Sequence, residues 1–398
     1  MAVKLDAARW GRQRGVARLL KALGAEEQLT RYVGGAVRDD LLKLPVSDFD
    51  LATRLRPDEV VERLQAAGIK AIPTGIEHGT VTAVSDGQPF EVTSLRRDVS
   101  TDGRRATVSF TDDWREDAGR RDFTINALSA DPGTGEIFDY FGGLADIEGR
   151  RVRFIGQPLA RIAEDHLRIL RFFRFHARFG AGAPDPDALA ACTERANDLM
   201  ALSRERIADE LLKLLGLPDP APTVATMLER DILKPVLPEI EPASLAILKQ
   251  VIAAETEAQI EPDALRRFAA LLPPEPLLAE KVAARLKLSN KARKRLGCST
   301  QRDLGANPKA LAYRVGIECA ADRLLLAGEP ARAASVIHWR MPKLPIGGGT
   351  LITRGLAEGP IIARTLRRIE DRWVEAGFPS GEEFDRIVSD ALAAAVKS

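Results

Sequence analysis

The chain has 398 residues, 45% of them hydrophobic and 29% charged, with a formal net charge of +1. That length and apolar content allow two or three globular domains with real cores and exclude a disordered chain. No apolar run approaches the roughly 20 residues that a membrane helix needs. Three cysteines, Cys192, Cys298 and Cys319, are too few and too scattered for a zinc site or a disulfide framework, so they read as packed thiols.

The first stretch, MAVKLDAARWGRQRGVARLL, is basic and helical with no signal-peptide cleavage region, which fits a cytoplasmic enzyme. It forms a helical lead-in over residues 1–27. Residues 28–152 then alternate short β-type runs with brief helices, the pattern of a small α+β domain built on a mixed β-sheet.

Within that domain, RYVGGAVRDDLLKLPVSDFDLAT covers residues 31–53. Arg31 to Val33 end a buried strand, and Gly34-Gly35 lets the backbone turn with no Cβ in a ligand's way. A helix over 36–44 would aim its first N–H groups, its dipole and Arg38 at one anion. Residues 47–53 read as a strand, so Asp48 and Asp50 project from one face. Two adjacent carboxylates suit a hard cation such as magnesium beside a phosphate. The plainer alternative is that Asp48 caps a turn and Asp50 sits on a solvated face.

EVVERLQAAG is a helix, and GTVTAVSDGQPFEVTSL is a hairpin turning at Asp86-Gly87. Glu91 alternates with Phe90 and Val92, so it faces away from them, either as a third carboxylate for a metal or as an ordinary exposed glutamate. The polar segment 96–110 reads as a mobile surface loop. GRRDFTINAL, residues 119–128, opens a helix in which Arg121 holds a phosphate or Asp122 caps the helix start, the two roles being compatible.

After GRRVRFIG the texture changes, and from Pro158 onward the chain reads as almost wholly helical, with proline clusters near 218–222 and 272–276. EDHLRILRFFRFHARFG, residues 164–180, reads as one continuous helix. Asp165, Arg168, Arg171 and Arg174 recur every third residue on one half and Ile169, Leu170 and Phe173 occupy the other. An ordinary amphipathic helix also has a polar side, but arginine forks suit base edges and phosphates. The run KVAARLKLSNKARKRLG, 281–297, is basic with no acidic residue, either a solvated helix face or an RNA-facing one.

Taken in order, GGAVRD with DFD, then RRDFTINAL, DYFGGLADI, EDHLRILRFFRF and SRERIADELLKLL resemble the tRNA nucleotidyltransferase and poly(A) polymerase family, in its class II bacterial form. The spacing fits over residues 31–216, and the tail LPIGGGTLITRGLAEGPIIARTLRRIE extends the likeness over nearly the whole chain. The resemblance implies a catalytic head over 28–152, a base-recognising neck over 153–216, and an all-helical body and tail over 217–398 that binds tRNA.

It also implies residue roles. Asp48 and Asp50 would hold Mg2+ and align the RNA 3′-hydroxyl for a two-metal, template-free nucleotidyl transfer that releases pyrophosphate, with Glu91 as third catalytic carboxylate. Gly34, Gly35 and Arg38 would take the triphosphate. Arg121, Asp122 and Asn126 would join the nucleotide site, and Asp165 with Arg168 would read the base, with Arg171 and Arg174 adding contacts. The implied partners are CTP, ATP and the tRNA 3′ end (acceptor stem and elbow), with no membrane and no protein partner inferred.

A carboxylate accepts from an exocyclic amine while a guanidinium donates to a ring acceptor, so such a pair admits cytosine and adenine and leaves buried groups unpaired against uracil or guanine. The sequence departs from the family at Lys43, where glycine is common, and at Thr350, where aspartate is usual. It has no histidine-aspartate dipeptide, and so no attached phosphohydrolase domain. An intact segment 96–110 favours addition of full CCA over CC alone. The competing readings are a poly(A) polymerase, an inactive RNA-binding homologue, and a small-molecule nucleotidyltransferase, the last of which leaves the long helical half unexplained.

Overall fold

The computed structural model describes residues 4–46, 49–102 and 105–396. These residues divide into two compact units: Met1–Glu210 with Arg230–Val236, and Leu211–Glu229 with Leu237–Ser398.

The first unit is built on a seven-stranded mixed sheet. Its strands are β1 (Thr30–Val33), β2 (Asp50–Thr53), β3 (Lys70–Gly75), β4 (Thr80–Ser85), β5 (Gln88–Ser94), β8 (Ser129–Ala130) and β9 (Ile137–Phe138), in the order β3-β4-β5-β2-β1-β8-β9. All neighbours run antiparallel except β2 and β5, which are parallel, with Asp50 opposite Glu91 and Leu51 opposite Val92. β4 and β5 meet at Asp86-Gly87, both at positive φ (50° and 81°), the two-residue turn whose twist matches that of paired strands.

The helices α1 (Ala7–Gly11) and α2 (Val16–Ala22) do not stand apart as a lead-in. Trp10, Leu19 and Leu23 are buried in the same core as Tyr32, Leu51, Val81 and Val92 of the sheet and Leu64 of the following helix Pro57–Ala66. Trp10 packs edge-on against both Tyr32 and Phe49, each 4.6 Å away between centroids. Burying a leucine such as Leu19 or Leu51 contributes about 1.5–3 kcal/mol, so this N-terminal segment is part of the sheet's cover.

Three local expectations are corrected. Where a loop was expected, β6 (Arg96–Asp102) and β7 (Arg105–Phe110) pair antiparallel, Arg96 opposite Phe110. Residues 119–128 do not open a helix, because a helix already ends there (Trp114–Gly119) and only a 3₁₀ turn, Thr124–Asn126, follows. The arginine-rich helix is broken in two, Pro158–Glu164 and Arg168–Phe179, with Asp165 extended between them at φ −153° and ψ 106°. Its side chain takes the Leu167 N–H at 3.1 Å, satisfying a donor that a continuous helix would have paired with a carbonyl.

The second unit is helical, from Ala221–Glu229 to Glu382–Val396. Proline at the first helical position starts several of its elements, among them Pro276–Arg285, Pro308–Val315, Pro330–Ile337 and Pro360–Glu375, where its missing N–H costs nothing. One core gathers Ala320, Leu324, Leu325 and Val336, another Leu351, Ile369, Trp373 and Val388. Between helices lies a buried ionic cluster: Glu255 accepts from Arg266 Nη1 at 2.6 Å and Arg267 Nε at 2.8 Å, and Asp322 from Arg266 Nε at 2.9 Å. The reading of three packed thiols holds for buried Cys192, whereas Cys298 and Cys319 form a disulfide with Cα atoms 6.1 Å apart. Twenty-one residues separate them in sequence, and only helix packing brings them together. No helix among the described residues is long and apolar enough to cross a membrane.

Candidate active site

The strand β1 runs into Gly34, which caps the short helix Gly35–Leu41 at φ 69° and ψ −129°. A Cβ at Gly34 would lie 2.7 Å from Arg121 Nη1, so this glycine serves both the turn and the approach of the guanidinium. Arg38, in the helix, is buried. Its Nη1 donates to Asn126 Oδ1 and its Nε to Asp39 Oδ1 at 2.8 Å, while the guanidinium lies over Phe179 at 4.2 Å.

Asp122 is the hub of the opposite wall. Its Oδ2 accepts from Arg171 Nε at 2.8 Å and Nη2 at 2.6 Å, and its Oδ1 accepts from Asn126 Nδ2 and the Phe123 N–H, both at 2.8 Å. A continuous hydrogen-bonded chain therefore runs Arg171–Asp122–Asn126–Arg38. Burial alone would raise the Asp122 carboxyl, but Arg171, Asn126 and the Phe123 N–H together hold it below the usual carboxylate range.

Gly34, Gly35, Arg38, Arg121, Asp122, Asn126, Asp165, Arg168 and Arg171 line one cavity of about 470 Å³, with Arg120 and Phe175. Five of these lining residues are arginines and two are aspartates, an excess of three positive charges (5 − 2) that favours an anionic ligand. Burial pulls both Arg38 and Arg121 below the usual guanidinium value, against Asp39 and Asp117 respectively. An entering phosphate would compensate that desolvation.

Asp165 and Arg168 reach the cavity from the break between the two helices. Asp165 Oδ2 accepts from Arg206 Nη2 at 2.7 Å. Arg168 Nη1 donates to Glu164 Oε2 at 2.6 Å and to the Arg161 carbonyl at 2.8 Å. Arg174 is not among the lining residues: its Nε binds Glu210 Oε2 at 2.5 Å and its guanidinium stacks 4.6 Å from Phe175. Arg206, Arg161 and Phe175 carry no sequence signal that points to this site. Arg206 lies in the quoted SRERIADELLKLL run, where its partner could have been sought, but the pairing spans 41 residues.

Asp50 and Glu91 open on a neighbouring cavity of about 880 Å³ with Gln13, Arg14, Phe49, Thr82, Gln88, Pro89 and Phe90. Asp50 also acts electrostatically on Arg121 of the first cavity, though it does not line that cavity itself. Both carboxylates are exposed and in register on adjacent strands, and hard oxygen donors so placed suit a divalent cation. Asp48 lies outside the described residues.

Residues 30–153 match the family model described as "Poly A polymerase head domain", and residues 183–244 match "Probable RNA and SrmB- binding site of polymerase A". The chain is 34% identical over 386 residues to the CCA tRNA nucleotidyltransferase 1, mitochondrial, of Mus musculus, covering 92% of this chain and 87% of that one. It is 43% identical over 201 residues to the CCA-adding enzyme of Streptococcus gordonii, about half of each chain. The Bacillus stearothermophilus CCA-adding enzyme solved in complex with CTP superposes with a TM-score of 0.73 at 26% identity, over 96% of this chain and 99% of that one.

Proposed function

The chain belongs to the tRNA nucleotidyltransferase and poly(A) polymerase family, and on that premise we propose that it adds or repairs the 3′-terminal CCA of tRNA from CTP and ATP without a nucleic-acid template. The observation that carries this reading is the meeting, in one positively charged cavity, of the glycine turn with Arg38 and the pair Asp165 and Arg168. The first set suits a triphosphate and the second a base edge that carries an amine beside an acceptor.

In this reading the acceptor's 3′-oxygen attacks the α-phosphorus. The new O3′–P bond forms as the bond to the β-phosphate oxygen breaks, pyrophosphate leaves, and the hydroxyl proton is released to water. Arg38 and Arg121 hold the departing phosphates, and Gly34 keeps the backbone clear of them. Arg206 orients Asp165 toward the base, while Glu164 and the Arg161 carbonyl orient Arg168. Asp50 and Glu91, with Asp48, are the residues we propose for Mg2+. The chemistry such a cation supplies when bound is a more acidic 3′-hydroxyl and a neutralised triphosphate. Residues 28–152 would then serve as catalytic head, 153–216 as neck, and 217–398 as the surface for acceptor stem and elbow.

The test is incubation of purified protein with a tRNA transcript lacking its last three nucleotides, magnesium, and either each single nucleotide or CTP with ATP, followed by sequencing of the 3′ ends. Products ending in CCA are expected. Adenosine tracts of variable length would make the protein a poly(A) polymerase, and no extension would leave an RNA-binding homologue.

A further inference from the structure

We propose that Arg14, on the wall of the cavity that Asp50, Glu91 and Gln13 also line, contacts a backbone phosphate of the acceptor RNA's last nucleotides. This rests on the reading just given, and it assigns a role to an N-terminal turn that carries no motif.

An in-line displacement at phosphorus puts nucleophile and leaving group on opposite sides of the reacting atom. The arginine-lined cavity already supplies the positive charge that a triphosphate needs. Asp50 and Glu91, the carboxylates proposed for the cation that activates the nucleophile, line the 880 Å³ cavity and not the arginine-lined one, which assigns the nucleophile's side to the former. Among the described residues it presents two carboxylates at one place and a single cation, Arg14, on the wall made by the N-terminal turn. RNA has the matching polarity: a neutral terminal hydroxyl, with an anionic phosphodiester one nucleotide behind it.

Arg14 is presented rather than merely exposed. The next residue, Gly15, is at φ 82° and pressed against β4, where an added Cβ would lie 2.5 Å from the Ser85 carbonyl oxygen. Ser85 Oγ donates to the Gly15 carbonyl at 2.8 Å, pinning the turn to the strand that pairs with Glu91's own. Of the neighbouring arginines, Arg9 binds Asp40, Arg18 binds the Ala67 carbonyl at 2.6 Å and lies 3.5 Å from Asp86, and Arg12 is exposed but does not line this cavity. Arg14 makes no ion pair or hydrogen bond among the described residues, and its side chain is solvent-accessible.

The experiment compares wild type, Arg14→Gln and Arg14→Lys. The RNAs are a tRNA transcript lacking CCA and an acceptor minihelix lacking the elbow, and the readouts are steady-state addition of CTP and direct filter binding. For Arg14→Gln we expect KM and Kd for both RNAs to rise about 5–10-fold and the slope of log Kd against log salt to fall by about one. KM for CTP should stay within about twofold, and Arg14→Lys should recover most of the loss, since a phosphate accepts either cation. RNA affinity and salt slope unchanged in Arg14→Gln would overturn the assignment, as would a loss seen with full tRNA but not with the minihelix. Binding is read without turnover, so a wild-type protein that adds no nucleotide would defeat the proposed function while the ratio of affinities still decides this inference.

Discussion

Arg171 places two donors, Nε at 2.8 Å and Nη2 at 2.6 Å, on a single oxygen of Asp122, although 49 residues separate them in sequence. The pair ties the arginine-rich helix to the turn that carries Asn126, and through Asn126 to Arg38. Whatever moves the Arg168–Phe179 helix therefore moves the Arg38 end of the cavity.

Removing that hub should be costly. Asp122→Asn leaves Arg171 facing a neutral amide, and we expect a loss of about 1–3 kcal/mol in urea unfolding, with a rise in KM for CTP and ATP. The folded carboxyl sits below its unfolded value, so its contribution is present above about pH 4. It is lost as pH falls through the lower folded value. Stability curves of wild type and Asp122→Asn, measured by melting between pH 7 and pH 2, should converge at the acid end. Curves that stay parallel would mean the pair contributes nothing to acid stability.

Glu91 stands beside Asp50 across the parallel pairing of β2 and β5 and is exposed. Glu91→Gln keeps the shape and removes one charge. Its melting temperature should match wild type, while kcat falls on the order of 100-fold, as loss of several kcal/mol of charge stabilisation requires. Unaltered kcat would remove Glu91 from the proposed catalytic set.

Asp165 is held by Arg206 at 2.7 Å and opens on the same cavity as Arg168. Asp165→Ala should relax nucleotide choice rather than abolish binding. Selectivity for CTP over UTP, as the ratio of kcat/KM values, should fall by about 10–100-fold, the scale of one lost buried hydrogen-bonding partner. Retained selectivity would move base reading elsewhere.

Lys43 follows the helix Gly35–Leu41 at φ 58°, and the chain leaves the helix through Lys43 N–H to the Asp40 carbonyl at 2.9 Å and Leu44 N–H to the Asp39 carbonyl at 2.8 Å. That left-handed position is one a glycine occupies without steric cost, which accounts for glycine being usual there in the family. The left-handed conformation costs a residue with a Cβ about 1–2 kcal/mol, and a glycine's greater freedom when unfolded offsets about 0.5–1 kcal/mol of that. Lys43→Gly should therefore stabilise the protein by about 0.5–1 kcal/mol in chemical denaturation. A destabilised variant would show that the lysine side chain makes a contact worth more than the strain.

What the sequence determined by itself was local. The hairpin at Asp86-Gly87, the glycine turn at Gly34, the outward face of Glu91 and the helical texture after residue 157 all follow from dihedral preference and side-chain period, which act over a few residues. Tertiary structure decided what crosses long separations. Asp50 meets Glu91 because β2 and β5 pair in parallel, and Arg206 meets Asp165 across 41 residues. Cys298 reaches Cys319 through helix packing, so counting cysteines and their spacing could not reveal the disulfide. The expected helix over 164–180 failed at Asp165 for the same reason. Its 3.6-residue pattern continues through the break, but a side-chain bond to the Leu167 N–H and an ion pair with Arg206 hold the backbone extended, and periodicity carries no information about such competitors.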